Sequence, residues 1–415
     1  MADLPSAGRH RQVVELRGHI IDSLMLPRIM EELMGLGVEY EIQQLDVGHR
    51  QSDTSYARLE LSSPSDVLLA TALREIQAFG ASPVDVVDAT FAPAPADGVF
   101  PEHFFATTNL ETEVHLGGVG WTRVRYPEMD CGIVVREGVP QCEPMSDVHC
   151  GEPVLLTGGG IRMSPVERPR GTTPMFGFMG STISSEKPKG SVIRQAAEWM
   201  RIARREGKQI LVVAGPAVVH TGSRESFVRL IETGYVDTVF AGNALAVHDI
   251  EIAFFGTSLG VPLDGGPSLD SGHEHHVRAI NRIRAAGSIR AAVESGALTS
   301  GIMHACTVRG TDVVLCGSIR DDGPLPDVIT DVIASQRAMR SRVREGVGIA
   351  LMLSSMLHSI AVGNLLPASV PTVCVDINPS VHTKLADRGS FQTVGLVMDV
   401  GSFLSDLLAV LSEPA

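Results

Sequence analysis

A chain of 415 residues is long enough for two or three domains at about 150 residues each. Hydrophobic residues at 44% and charged residues at 20%, with 42 Gly and 24 Pro, describe an ordinary globular composition and exclude a disordered or a small disulfide-stapled chain. The 34 basic and 48 acidic residues leave a net charge of −14, a field that repels phosphate backbones and anionic lipid, so neither nucleic acid nor a membrane is expected as a partner.

Residues 1–12 read as a flexible N-terminus without the apolar core of a secretory signal. Residues 13–104 read as one α+β module. Gln12–Ile20 is strand-like, Leu24–Leu36 repeats apolar residues at helical spacing, and Val38–Val47 and Ser55–Leu61 alternate as strands do. Pro64 opens a second helix with Asp66 in its first turn, and Val84–Val87 closes the module as a short strand. The order β-α-β-β-α-β is that of a ferredoxin-like module. The proline-rich stretch Phe91–Pro101 reads as a connector.

Residues 105–175 form a small β-rich middle module, with short runs at Thr112–Leu116, Trp121–Arg125, Gly132–Arg136 and Pro153–Leu156. From 176 to 415 helices alternate with solid apolar strands. Strands are expected at Gln209–Val213, Tyr235–Phe240, Asp312–Cys316, Val370–Asp376 and Thr393–Val397. Helices are expected at Val192–Arg205, Ser226–Glu232, Ala244–Phe255, His275–Ser295, Asp327–Arg340 and Phe403–Leu411. Gly346–Leu366 is long and apolar, but it holds Ser354, Ser355, His358 and Asn364 and lacks aromatic flanks, so it reads as a helix buried in a soluble core. Strands without alternation, each followed by a helix, indicate a doubly wound parallel sheet of Rossmann type, with ligands at the carboxyl ends of the strands.

Four of those ends carry small residues or Asn/Asp: Ala214-Gly215-Pro216-Ala217, Ala241-Gly242-Asn243-Ala244, Gly317-Ser318-Ile319-Arg320 and Asp376-Ile377-Asn378-Pro379. Backbone N–H groups there can approach a pyrophosphate closely, although the G-x-G-x-x-G fingerprint is missing. Asp376 and Asp399 suit ribose hydroxyls, and Asp399 equally suits a helix N-cap. The loop Ser181–Gly190 crowds hydroxyls, Glu186 and two lysines; Lys187 is one of only four lysines and is a candidate base.

His273-Glu274-His275-His276 lacks metal-ligand spacing and reads as a helix start, with His273 free to face the crevice. Asp264 lies in an acidic, glycine-rich loop suited to an ammonium group. In the middle module Asn109 and Asp130 suit the polar groups of an amino acid, and Cys131 is a thiol with no histidine beside it in sequence. Six cysteines without a C-x-x-C pair offer neither a zinc ribbon nor a disulfide framework, so no metal is expected and reduced thiols in the cytoplasm are.

These residues carry a resemblance. Leu16-Arg17-Gly18-His19-Ile20-Ile21-Asp22, Thr107-Thr108-Asn109 and Met129-Asp130-Cys131-Gly132-Ile133-Val134-Val135 resemble the conserved domain of lysine-oxoglutarate reductase/saccharopine dehydrogenase bifunctional enzymes, over Arg17 to about Pro165. From Phe176 onward, Ser184-Ser185-Glu186-Lys187-Pro188, Val213–His220, Ala241–Ala244 and His248-Asp249-Ile250-Glu251 resemble the archaeal-type ornithine cyclodeaminases, whose second half is similar to the NAD-binding fold of deoxyhypusine synthase.

The resemblance implies a cytoplasmic lyase with NAD as cofactor. L-Ornithine would lose hydride from Cα to NAD, the δ-amine would attack the imine, ammonia would leave, and the returned hydride would give L-proline. By motif, the NAD contacts are Gly215, Pro216, Ala217, Asn243, Ala244, Ser318, Asp376, Asn378 and Asp399. The catalytic residues are Lys187, Asp130 and Asp264, and the substrate contacts are Asn109, Cys131 and His273. A homo-oligomer is expected from the family. No arginine dihydrolase module is expected ahead of residue 1, so ornithine is expected to come from elsewhere. The competing expectations are an NAD-dependent oxidoreductase of a basic amino acid or opine-like adduct, and a nucleotide- or amino-acid-sensing module.

Overall fold

Alternation decides the first sheet. A computed structural model describes residues 10–21, 25–49, 53–77, 79–164, 189–258, 261–262, 274–321, 323–387 and 393–413. It divides into a first unit, Met1–Gly180 with Pro367–Ser369, and a second, Ser181–Leu366 with Val370–Ala415. In the first unit β1 (His10–Gly18), α1 (Met25–Gly35), β2 (Glu39–Asp46), β3 (Ser55–Ser63), α2 (Asp66–Gln77) and β4 (Ser82–Pro83) build an antiparallel sheet of order β2-β3-β1-β4. In β3 every second residue is buried, and Leu59 faces Val14 in register while Leu61 faces Gln12. Leu26, Ile29 and Leu33 of α1 and Leu69, Ala72 and Ile76 of α2 close over that face, each burial contributing about 1.5–3 kcal/mol for the larger side chains. This is the ferredoxin-like order. The last strand lies at Ser82–Pro83, ahead of the expected Val84–Val87, and Val86 and Val87 are half exposed.

The rest of this unit is β-structure. β5 (Phe91–Pro93), β6 (Glu111–Leu116), β7 (Gly120–Arg123), β8 (Gly132–Arg136), β9 (Val139–Glu143), β10 (Pro153–Leu155) and β11 (Ile161–Ser164) form two sheets of order β5-β10-β8-β9 and β11-β6-β7. The expected connector at Phe91 therefore begins with a strand, and β9 and β11 were not anticipated because each is short and half polar.

The second unit opens with α3 (Lys189–Arg205) and β12 (Gln209–Ala214), followed by α4 (Ala217–His220), α5 (Arg224–Glu232), β13 (Thr238–Gly242) and α6 (Asn243–Phe255). The hairpin β14 (Thr257–Ser258) and β15 (Val261–Pro262), α7 (His275–Ala286), α8 (Ile289–Glu294), α9 (Ile302–Arg309), β16 (Asp312–Cys316), β17 (Val328–Ile329) and α10 (Val332–Arg344) come next. β18 (Val347–Leu353), α11 (Met356–Leu365), β19 (Thr372–Asp376), α12 (Pro379–Asp387), β20 (Thr393–Val397) and α13 (Val400–Ser412) complete it. Seven strands run parallel in the order β17-β16-β13-β12-β18-β19-β20. Ile210, Val212 and Ala214 of β12 pack into one core beneath α3, α5, α6, α9 and α13, while Leu211 and Val213 pack into another beneath α10, α11 and α12. Helices thus cover both faces, which is the doubly wound arrangement.

Three expectations change here. Gly346–Leu366 is not one helix: its first half is β18, beside β12 at the centre of the sheet, and its second half is α11. A strand buried on both faces shows no alternation, so hydrophobicity alone cannot separate it from a buried helix. The signal was Gly348, where a Cβ would lie 2.6 Å from the Cβ of Ala203, because α3 packs directly on the strand. His275–Ser295 breaks at Gly287, whose φ of 92° ends α7, and Ser288 caps α8. Asp327–Arg340 holds the edge strand β17 before Asp331 caps α10. No helix among the described residues is long and apolar enough to cross a membrane.

Candidate dinucleotide site

The parallel sheet winds outward in both directions from the adjacent strands β12 and β18. Such a switch opens a crevice at their carboxyl ends. Gly215 follows β12, and its N–H donates to the carbonyl of Leu353 (2.8 Å). A Cβ on Gly215 would lie 1.9 Å from the Ser354 carbonyl oxygen, so only glycine fits. Ser354 itself holds a φ of 48°, in the left-handed region that serine seldom adopts. Ser355 then starts the ten-residue α11 without a side-chain cap, so the first helical N–H groups face the crevice end of the sheet with no hydroxyl or carboxylate from that position.

His358, one turn into α11, reaches across to β13: a Cβ on Gly242 would come within 3.2 Å of its Cε1. Burial pushes the His358 imidazole below its ordinary pKa, with Asp321 pulling the other way. Ser354, Ser355 and His358 entered the sequence reading only as polar residues against a membrane span, and received no role at the site because they lay inside the stretch read as a single helix.

The expected cofactor residues of the second unit all sit at the carboxyl ends of strands or within three residues beyond: Gly215, Pro216 and Ala217 after β12, Asn243 and Ala244 after β13, Ser318 after β16, Asp376 at the end of β19 with Asn378 beyond it, and Asp399 after β20. Several are already engaged. The buried Asn243 accepts the N–H of Leu325 on Oδ1 (3.1 Å), which ties the loop after β16 to the start of α6. Ser318 closes a tight turn, its N–H donating to Asp321 Oδ2 (2.7 Å) and its Oγ accepting from the Arg320 N–H (3.1 Å). Asp399 caps α13, with Oδ1 accepting the N–H of Ser402 (2.9 Å). Asp376 accepts the N–H of Asn378 (2.8 Å), and Asn378 accepts that of Ser380 (3.0 Å).

A polar chain that motif reading left without a role runs along the same unit. His220, the last residue of α4, shares a hydrogen bond with Ser258 Oγ (2.6 Å) and packs against His248, ring centroids 4.7 Å apart. His248 meets the fully buried Glu251 (3.1 Å), Glu251 accepts from Thr257 Oγ1 (3.0 Å), and Thr257 meets His275 Nδ1 (2.8 Å). Burial, with His248 alongside, lowers the pKa of His220. Spacing gave no hint of this chain, because its members come from α4, α6, the β14 hairpin and α7.

In the first unit Thr107 joins the two motifs of the middle module. Its N–H donates to the Cys131 carbonyl (2.9 Å), its carbonyl accepts from Asp130 (3.1 Å), and its Oγ1 accepts from the Cys131 N–H (3.0 Å) while donating to the Glu128 carbonyl (2.7 Å). Asp130 is thereby fixed at a φ of 63°, a left-handed conformation that aspartate tolerates better than most residues. Asn109 and Cys131 are buried and Asp130 is exposed. Lys187, Asp264 and His273 lie outside the described residues. No group of three or more His, Cys, Asp or Glu side chains among the described residues is arranged to hold a metal ion.

The donor set at the switch suits a dinucleotide: an obligatory glycine against a neighbouring backbone, an uncapped helix start, and carboxylates at the outer strand ends. Comparisons agree. Residues 194–407 match the family model described as "Arginine dihydrolase ArgZ-like, C-terminal, Rossmann fold", residues 111–193 its "first region", and residues 11–110 the "LOR/SDH bifunctional enzyme conserved region". The last of these stops short of the Pro165 reached by the sequence resemblance. A protein of Methanothermobacter thermautotrophicus named ornithine cyclodeaminase is 49% identical over 95% of this chain and 96% of its own length. The crystal structure of a conserved putative LOR/SDH protein from Methanococcus maripaludis matches with a TM-score of 0.74 at 45% identity, covering 79% of this chain and 98% of that one. The ternary complex of AgrE with ornithine and NAD+ matches with a TM-score of 0.52 at 40% identity, covering 97% of this chain and 57% of that one.

Proposed function

Because the chain belongs to the family of the archaeal ornithine cyclodeaminases and the ArgZ-like C-terminal region, we propose that it is a lyase that converts L-ornithine to L-proline and ammonia with NAD recycled in each turnover. The observation that carries this reading is the likeness over almost the whole of both chains, together with a family model whose match, residues 194–407, spans every strand end of the crevice. NAD supplies reversible oxidation at the substrate α-carbon, so none is consumed.

The protein's own share is positional. Gly215, Pro216 and Ala217 bring backbone close to the cofactor beside Ser354. Asn243, Ala244, Ser318, Asp376, Asn378 and Asp399 provide its remaining contacts. Asn109, Cys131 and His273 contact ornithine, while Lys187, Asp130 and Asp264 move protons at its two amines. One amine must be neutral to attack and the other must leave as ammonia, and acidic neighbours suit a substrate that arrives with two positive charges. Thr107 serves this scheme by locking Asp130 and Cys131 in one turn.

The test is product analysis. Purified protein with L-ornithine and NAD is expected to release proline and ammonia in equal amounts, with no net gain in the absorbance of reduced cofactor. Accumulation of reduced cofactor, or turnover of lysine or arginine in place of ornithine, overturns the reading.

A further inference from the structure

The cyclodeamination borrows a proton. L-Ornithine arrives as a cation with both amines protonated, and it leaves as neutral proline and ammonium, so no proton is gained or lost overall. Within the turnover the δ-ammonium must give one up before its nitrogen can attack, and the departing ammonia must take one. A group that holds this proton in between has to be neutral at working pH, close to the crevice and fixed in orientation.

His220 meets these conditions and belongs to none of the cofactor or substrate contacts named above. It ends α4, the single turn that leads directly on from Gly215-Pro216. At the rise of an α-helix it stands about 4.5 Å along the axis from Ala217. Desolvation, then His248 beside it, hold its imidazole below the ordinary 6.5, so it is the free base at neutral pH while staying open to solvent. Its Nδ1 is tied to Ser258 Oγ (2.6 Å), and its ring rests on that of His248 at 58°.

Behind His220 the chain is organised by one carboxylate. Both oxygens of the fully buried Glu251 are engaged, Oε2 with His248 Nδ1 and Oε1 with the Thr257 hydroxyl. A carboxylate only accepts, so His248 carries its proton on Nδ1 and keeps Nε2 as an acceptor. Thr257 donates to Glu251, so its oxygen accepts from His275 Nδ1. One buried carboxylate thus sets the tautomers of two imidazoles.

The other charged groups around α4 are spent or remote in effect. On α5, Arg224 is taken by Asp249 (2.7 Å) and by the exposed Glu225 (3.1 Å), and on α13 Asp406 is exposed. The charges that act on His220 are those of α6: His248 lowers its pKa and Glu251 raises it.

We propose that His220 is the proton carrier of the cyclodeamination, holding the proton released by the substrate δ-ammonium and returning it to the departing ammonia, and that Glu251 and His248 are positioning residues for it. The electron pair of the broken N–H bond stays on the δ-nitrogen, which then attacks the imine carbon. The imidazole lone pair carries the proton until ammonia takes it, so the chain ends each turnover as it began. The inference rests on the ornithine reading above and adds to it where the borrowed proton is kept.

Ammonia release by the full chain, at saturating L-ornithine and NAD and over a range of pH, tests it. His220→Ala is expected to lower kcat about a hundredfold with KM for ornithine within about twofold. Added imidazole, which can enter at this open position, is expected to restore at least about a tenth of the lost rate. The two neighbours are expected to move the acidic limb of the kcat profile in opposite directions. Glu251→Gln keeps an acceptor for Thr257 but removes the charge that raises the His220 pKa, so the limb moves to lower pH. His248→Gln removes the charge that lowers it, so the limb moves to higher pH, each by about half a unit. Melting curves show which variants fold, and should Glu251→Gln not fold, His248→Gln and the imidazole rescue decide.

An active wild type with kcat of His220→Ala within about twofold overturns the inference. So does a loss of kcat that imidazole does not restore, joined to an unmoved limb in His248→Gln, because that pattern marks a structural role. Folded wild type that releases no ammonia from ornithine overturns the underlying reading and the inference with it.

Discussion

The antiparallel sheet of the first unit and the parallel sheet of the second are built from similar residues by opposite rules. In β3 buried and half-exposed residues alternate along the whole strand, and the edge strand β2 is almost wholly exposed, with Ile42 and Leu45 on its surface. In β12 and β18 nearly every residue is buried. One sheet uses a single face for its core and shows the other to solvent; the other sheet has helices on both. The first tolerates surface change at its edge. The second encloses polar groups that need partners, and the buried Asp249–Arg224 pair shows one way it supplies them.

That contrast can be broken most severely at Asp249. Its carboxylate, fully buried, takes Arg224 Nε (2.7 Å) and the N–H groups of Ile302 (2.9 Å) and Met303 (2.8 Å) at the start of α9. Asp249→Ala leaves a buried guanidinium and two helix N–H groups without their acceptor, and a loss of about 3–5 kcal/mol is expected. The chain has two tryptophans, Trp121 in β7 and Trp199 in α3, so each unit carries its own reporter. In a Trp121→Phe background, urea unfolding followed at Trp199 measures the loss. A change under about 1 kcal/mol would show that the buried pair is dispensable.

A smaller and pH-dependent difference follows from burial. His220, His358 and His382, all in the second unit, have pKa values lowered by burial from the ordinary 6.5. Their unfolded forms bind more protons below that pH, so stability is full above about 6.5 and falls as pH drops from there towards the folded values. In the first unit Glu152, held by Arg136, has a pKa lowered from the ordinary 4.5, and its contribution is lost only as pH falls below that value. The Trp199 transition is therefore expected to weaken between pH 7 and 5 while the Trp121 transition holds, and His382→Gln is expected to flatten the former. Parallel weakening of both transitions in that range would remove the distinction. The least effect belongs to the exposed edge: Ile42→Ala is expected to change stability by no more than about 0.5 kcal/mol in denaturant unfolding. A loss several times larger would mean that this strand is covered.

The legibility of the fold follows the same division. The ferredoxin-like order could be read from β1 to α2 because alternation and helical spacing each leave a distinct trace. Gly132–Arg136, Asp312–Cys316 and Thr393–Val397 were read to the residue, being short apolar runs bounded by turn signals. β18 was misread, and with it Ser354, Ser355 and His358 were missed, although they flank the crevice. The strand-end residues of the candidate site were legible as small or Asn/Asp residues after apolar runs. Which of them are spent on tying loops and turns, as Asn243 and Ser318 are, was not, whereas the N-cap weighed for Asp399 is the one it forms.

Residue order alone determined the alternation of modules, the absence of a zinc ribbon pattern and the family likeness, because these depend on local periodicity and on motifs contiguous in the chain. Only the tertiary structure decided where the strand order of the parallel sheet reverses, that Gly215 must be glycine because Ser354 lies against it, that Thr107 binds the turn of Asp130, and that three histidines and a buried glutamate share one polar chain. Those facts depend on contacts between segments tens to hundreds of residues apart, and no local pattern carries the sign of a neighbour that the chain reaches only by folding.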